Sequence, residues 1–117
     1  MSPSLTVVIA AYQAEATLRD AIQSALQAPV ALEVIVVNDG SNDGSAAIVE
    51  EFESQVRAIH HDNRGAARSR TRGGRLARGE WLLFLDADDL LLREGLEALW
   101  EKAQEGEADV VYGGVAG

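Results

Sequence analysis

The sequence predicts a three-layer α/β/α domain with a mostly parallel, Rossmann-like sheet, and three observations predict it. Short apolar runs recur at 5–11, 32–38 and 80–85, the first two rich in β-branched residues. Each is too continuous for a half-exposed strand and has the length of a strand buried on both faces. Segments with helical apolar spacing separate these runs. Strands alternating with helices build parallel sheets whose crossovers cover both faces.

The elements follow in order. "LTVVIAA" (5–11) is the first buried strand. Over 15–28, Leu18, Ala21, Ile22, Ala25 and Leu26 recur at helical spacing, and Pro29 ends the helix. "LEVIVVN" (32–38) repeats the buried-strand pattern. "DGSNDGS" (39–45) is dense turn chemistry, with Asp43 as the expected N-cap of a helix over 44–54. "QVRAIHH" (55–61) reads as a strand, and the Arg/Ala-rich stretch 64–79 as a helix despite Gly73-Gly74. "EWLLFL" (80–85) is the next buried strand. Leu92, Leu96, Leu99 and Trp100 then share one face of a helix over 93–106, and 108–114 is a last short strand. With no repeat, linker or low-complexity segment, 1–117 reads as a single domain.

Composition narrows the function. The formal net charge is −9, which argues against a nucleic-acid partner. Six of the ten basic residues nevertheless crowd into 64–78. There is no cysteine, so disulfides and thiolate chemistry are excluded. The N-terminus lacks the basic region and apolar run of a signal peptide, and no apolar run reaches membrane-spanning length. The expectation is a cytoplasmic domain, or the part of a larger protein at the cytoplasmic membrane face.

In open α/β sheets ligands bind beyond the carboxyl ends of the strands. Three polar clusters fall at such ends: Ala11-Tyr12-Gln13, Asn38-Asp39-Gly40-Ser41, and Asp86-Ala87-Asp88-Asp89. Carboxylates one residue apart, such as Asp86 and Asp88, suit Mg²⁺ or Mn²⁺, which keep open positions for phosphate oxygens. Arginines nearby can add charge-assisted hydrogen bonds. Tyr12 can stack on a base, and Asp39 can accept from a ring N–H. A nucleoside diphosphate with a divalent metal fits these features together.

"VVIAAYQAEATLRDAIQSAL", "VIVVNDGSNDGS", "NRGAARSRTRGG" and "GEWLLFLDADD", in that order, resemble the family-2 inverting glycosyltransferases of the GT-A fold. The resemblance runs from Leu5 to at least Leu92. It implies a nucleotide-sugar donor, a UDP-sugar foremost, a divalent metal, and a sugar or lipid-linked hydroxyl as acceptor. It also implies nucleotide binding by Ala11, Tyr12, Asp39, Arg70, Asp86 and Ala87. Tyr12 and the adjoining backbone would line the base pocket, and Asp39 would bond a uracil-type base. Arg70 would lie near base and phosphates. Asp88 would be the direct metal ligand, with Asp86 facing ribose or metal. Asn38, Gln13 and Thr71 depart from the family's usual residues and bear on base preference. The family's catalytic base and acceptor-binding half lie beyond the Asp-x-Asp, so the chain is expected to be a donor-binding half without turnover of its own.

Other readings are weaker. A receiver domain needs an acidic pair after the first strand, where "VVIAAYQ" offers none. The only lysine, Lys102, does not fit that pattern either. A haloacid-dehalogenase phosphatase needs its acidic nucleophile at the same first strand. A non-catalytic nucleotide-binding module of the same fold is the remaining alternative. His60 and His61 point to opposite faces of their strand, a poor chelating geometry. The segment around Val110, Val111, Tyr112 and Val115 is expected to be apolar and to support a homodimer.

Overall fold

The computed structural model describes residues 5–27, 31–92, Glu94, Glu97, Glu101 and 110–111. Five strands form one sheet: β1 (Leu5–Ala11), β2 (Ala31–Asp39), β3 (Arg57–His61), β4 (Trp81–Asp86) and β5 (Val110–Val111). Their order is β3-β2-β1-β4-β5, and every pairing is parallel. The strand order reverses at β1, whose neighbours are β2 and β4. Such a switch point opens a crevice at the carboxyl end of the strands.

The helices α1 (Leu18–Leu26), α2 (Ser45–Glu51) and α3 (Ala66–Leu76) complete three layers. Strand side chains alternate between the faces. Leu5, Val7, Ile9, Val34 and Val36 pack with Leu18, Ile22, Ile48 and Val49 of α1 and α2. Val8, Ile35, Val37 and Ile59 face the other way, toward Leu76 at the end of α3. Burial on both faces is why the strands lack polar alternation. Thr6 is the buried exception in β1; its hydroxyl bonds Glu33 and accepts from the Gly79 N–H.

The boundaries differ from expectation for local reasons. α1 starts at Leu18, not at residue 15, because the Thr17 and Leu18 N–H groups both close a turn onto the Ala14 carbonyl. The cap position of α2 is Gly44, whereas Asp43 sits one place earlier and accepts from the Ser45 N–H at 2.9 Å. α2 ends at Glu51, three residues early, where Phe52 and Val56 turn into the core. α3 starts at Ala66 after Gly65, whose φ of +96° is incompatible with a helix. β4 runs one residue further than expected and includes Asp86. The helix expected over 93–106 falls mostly outside the described residues; Glu94, Glu97 and Glu101 within it are helical and exposed. Tyr112 and Val115, expected to support self-association, also lie outside them. Among the described residues no helix is long and apolar enough to cross a membrane.

α3 tolerates two consecutive glycines because one is a packing requirement. A Cβ on Gly73 would sit 2.5 Å from Val8 Cγ1 and 3.3 Å from Val37 Cγ2, whereas one on Gly74 would meet Leu82 Cδ1 at an ordinary 3.5 Å. Val8 and Val37 are fully buried and cannot swing aside. Gly73→Ala is therefore expected to destabilise by about 1–3 kcal/mol through overpacking. Gly74→Ala should stabilise by about 0.5–1 kcal/mol through helix propensity. Urea unfolding midpoints should move in opposite directions; a shared direction would show that packing does not distinguish these positions.

Candidate functional site

Strand register brings the three polar clusters to one rim. Ala10 is level with Asp86, Ala11 with Asn38, and Asp39 with His61. Tyr12, Asp39 and the Asp86–Asp89 turn therefore share one end of the sheet. Beside Tyr12 and Asp39 a cavity of about 170 Å³ is lined by Ala10, Ala11, Tyr12, Asp39, Gly65 and Ser69, among others. Ala11 is buried, while Tyr12 is 55% exposed and stands at the mouth. Tyr12 is thus a rim residue, as its position after the strand suggests.

The loop after β1 is fastened to the loop after β2. Gln13 and Asn42 pair through two 2.7 Å hydrogen bonds: Gln13 Nε2 donates to Asn42 Oδ1, and the Asn42 N–H donates to Gln13 Oε1. The Gln13 N–H donates to Ser41 Oγ at 3.0 Å, and the Ala14 N–H to Ser45 Oγ at 2.9 Å. Glu15 accepts from the Gly44 N–H, and Asp43 from the Glu15 N–H. Gln13 has φ of +51°, a left-handed conformation that costs a non-glycine residue about 1–2 kcal/mol. The bonds across the loops offset that cost, so Gln13 is a brace between loops.

Asp39 is the hub of the rim. Its side chain is 3% exposed. Oδ1 accepts from the Arg64 N–H at 2.7 Å and from His61 Nε2 at 3.0 Å. Oδ2 accepts from the Gly65 N–H at 2.9 Å and from Asn63 Nδ2 at 3.3 Å. A carboxylate offers about four lone-pair sites, and the chain's own donors fill them. Burial pushes the Asp39 carboxyl up, but the Arg64 and Gly65 N–H groups and His61 outweigh it and hold it below the usual carboxylate range. A base N–H would share or displace one of these donors at Asp39. Gly40 has φ of +69°, and a Cβ there would stand 2.4 Å from the Asn63 backbone nitrogen, so the two loops touch at their main chains.

The histidines are structural. His60 Nδ1 bonds Asn38 Nδ2 at 3.1 Å, and Asn38 Oδ1 accepts from the Ser41 N–H. Arg72 Nη1 lies 2.9 Å from His61 Nδ1. A guanidinium can only donate, so Nδ1 accepts and the ring proton sits on Nε2, facing Asp39. Asn38 is thus committed to holding a loop and a ring.

At the end of β4, the Asp89 N–H donates to the Asp86 carbonyl at 3.0 Å and closes a tight turn. Asp86, Asp88 and Asp89 can each bring an oxygen within 4.8 Å of the others. That spacing and all-oxygen chemistry suit a hard divalent cation. Ala87 is buried between Asp86 and Asp88, and its small side chain lets the turn lie against the sheet. Arg70 Nη2 pairs with Asp86 at 3.0 Å. Both groups are partly exposed, so the pair adds at most about 1 kcal/mol. The structure therefore brings Arg70 to the carboxylate cluster. It also shows what sequence reasoning missed: Asp39 as an internal hub, and Arg72 on His61. The pairing of Asp39 with His61 had a faint signal, since both end neighbouring strands.

The model for the family described as Glycosyl transferase family 2 matches residues 6–117. The glycosyltransferase GlyG of Streptococcus pneumoniae is 35% identical over 118 residues, covering 97% of this chain and 39% of GlyG. The succinoglycan biosynthesis protein ExoO of Rhizobium meliloti is 40% identical over 111 residues, covering 92% of this chain and 32% of ExoO. The chain thus spans about a third to two fifths of the length of these relatives. Among solved structures, S. aureus TarS 1-349 in complex with UDP-GlcNAc superposes with a TM-score of 0.73 at 26% identity, over 87% of this chain and 31% of that one. The same protein in complex with UDP gives a TM-score of 0.75 at 25% identity, over 87% of this chain and 32% of that one.

Proposed function

The chain belongs to glycosyl transferase family 2, and from that premise we propose that it forms the donor site of an inverting, metal-dependent glycosyltransferase using a UDP-sugar. The observation that carries this reading is the shared rim: a cavity flanked by Tyr12 and Asp39, with three convergent carboxylates at the end of β4. The cavity suits a nucleobase, with Tyr12 stacking at its mouth and Ala11 forming its wall. The diphosphate would reach toward Arg70 and the Asp86–Asp89 turn. Asp86, Asp88 and Asp89 would hold Mg²⁺ or Mn²⁺, which when bound supplies Lewis-acid stabilisation of the leaving diphosphate. The UDP and UDP-GlcNAc complexes of the similar TarS structure support a uridine nucleotide.

The reaction in this reading is displacement at the anomeric carbon. A hydroxyl oxygen of a carbohydrate or lipid-linked acceptor forms the new C–O bond as the bond to the diphosphate breaks. The diphosphate leaves with the electron pair, and the hydroxyl proton passes to a base. Inversion follows from attack opposite the leaving group.

Calorimetric titration with UDP, GDP and CDP, each in Mn²⁺ and in EDTA, tests the proposal. UDP should bind best, and roughly tenfold or more tightly with Mn²⁺, a difference of about 1.4 kcal/mol. Equal affinity in EDTA would remove the metal from the reading. No binding of any nucleotide would remove the donor site altogether.

A further inference from the structure

The arginine-rich helix has a second feature that the donor site does not use. Arg64, Arg68, Arg72 and Arg75 line a groove of about 620 Å³ alongside α3, together with His61 and Leu76. All four arginines are exposed. Arg68, Arg72 and Arg75 lie four and three residues apart on α3, which keeps them on one stripe with a rise of roughly 4.5–6 Å between successive members, and Arg64 sits just before the helix. Arg70, which reaches Asp86, is not among the residues lining this groove. The groove and the donor cavity share no lining residue.

A solvated helix face would balance its charges, and this one does not. Between Asp62 and Glu80 the sequence carries six arginines and no carboxylate, in a chain with 19 acidic residues. Like charges at helical spacing repel by about 0.2–0.5 kcal/mol per pair. Among the described residues no ion pair engages Arg64, Arg68, Arg72 or Arg75; Arg72 bonds His61 instead. Guanidinium forks match phosphate oxygens in paired hydrogen bonds, and several forks in one groove suit a ligand with more than one negative charge.

We propose that this groove is a second anion site that binds a phosphate-bearing ligand, either the headgroup of a lipid or a soluble phosphorylated molecule, apart from the donor cavity. The two sites touch through one chain of bonds, Arg72 to His61 to Asp39. A phosphate that draws Arg72 away leaves His61 Nδ1 without its donor, one hydrogen bond from Asp39 in the lining of the donor cavity.

The probe is inorganic pyrophosphate, titrated in EDTA so that metal-dependent binding at the donor rim is silent. Saturable binding is expected, weakened roughly tenfold or more in an R68A/R75A variant. An R68K/R75K variant should recover part of the loss, because the charges return without the forks. UDP binding in Mn²⁺ should stay within about twofold of the parent in both variants, which also reports that they fold. Co-sedimentation with phosphatidylcholine vesicles, with and without phosphatidic acid, identifies the source. Retention only on phosphatidic acid vesicles, lost in R68A/R75A, assigns a lipid headgroup; pyrophosphate binding without vesicle retention assigns a soluble phosphate. Pyrophosphate binding that is absent, or unchanged in R68A/R75A, overturns the proposal. So does a parallel loss of UDP binding, which would make the groove part of the donor site.

Discussion

Asp39→Ala is expected to destabilise the domain by about 3–5 kcal/mol, the cost of removing one partner from a buried, hydrogen-bonded charge. The substitution strands the Arg64 and Gly65 N–H groups, His61 Nε2–H and the Asn63 amide, all of which converge on this carboxylate. Among the described residues no buried side-chain nitrogen or oxygen now lacks a partner. Asp39→Asn should cost less, since its carbonyl keeps some of these donors while its NH₂ opposes others. Urea unfolding measures both, and a loss below about 1 kcal/mol for the alanine variant would deny the hub role. The sign with pH follows from linkage. The folded carboxyl lies below its usual range, so its stabilisation is fully present above the unfolded value of about 3.9 and is lost as pH falls through the lower folded value. Wild type should therefore lose stability on acidification below about pH 4, and Asp39→Asn should lose less over that window.

Asp88→Ala is expected to lower UDP affinity in Mn²⁺ by roughly tenfold or more, removing the metal-dependent gain and falling within what losing even an outer partner of a metal costs. Its affinity in EDTA should stay at the wild-type level, because Asp88 is exposed and does not line the cavity. Arg70→Ala should separate two roles. Arg70 holds Asp86 at 3.0 Å and so competes with a cation for that oxygen. Mn²⁺ alone should bind the variant more tightly, while UDP binds it more weakly for want of a phosphate partner. Calorimetry with metal and nucleotide in turn distinguishes these effects; weaker Mn²⁺ binding in Arg70→Ala would contradict the competition.

The strands were legible because burial on both faces demands uninterrupted β-branched runs, and "LTVVIAA" and "LEVIVVN" have them. The rim was legible for the same reason, since each run ends abruptly in polar residues. Helix starts were less so. Nothing in "QAEATL" announces that Gln13 adopts a left-handed conformation and delays α1 to Leu18. The role of Asp39 was half legible. Its place at a strand end was clear, but two of its partners are the main-chain N–H groups of Arg64 and Gly65, and residue type does not mark such donors. The arginine cluster was visible as composition, and only the packing of Gly73 on Val8 and Val37 decides which of its members face outward.

The central place of β1 also sets an order of events in folding. β1 pairs with β2 early in the sequence, but its other edge waits for β4, where Leu5 meets Trp81. Long-range parallel pairing is slow, because loop-closure entropy is lost before the contacts form. During synthesis, β1, β2 and β3 can assemble while the far edge of β1 is still an open template. Docking of β4 then closes that edge and, in the same step, brings Asp86 level with Ala10. The carboxylate turn and its pairing with Arg70 thus arise only with that step, so that a nascent chain acquires its complete rim only once both edges of β1 are paired.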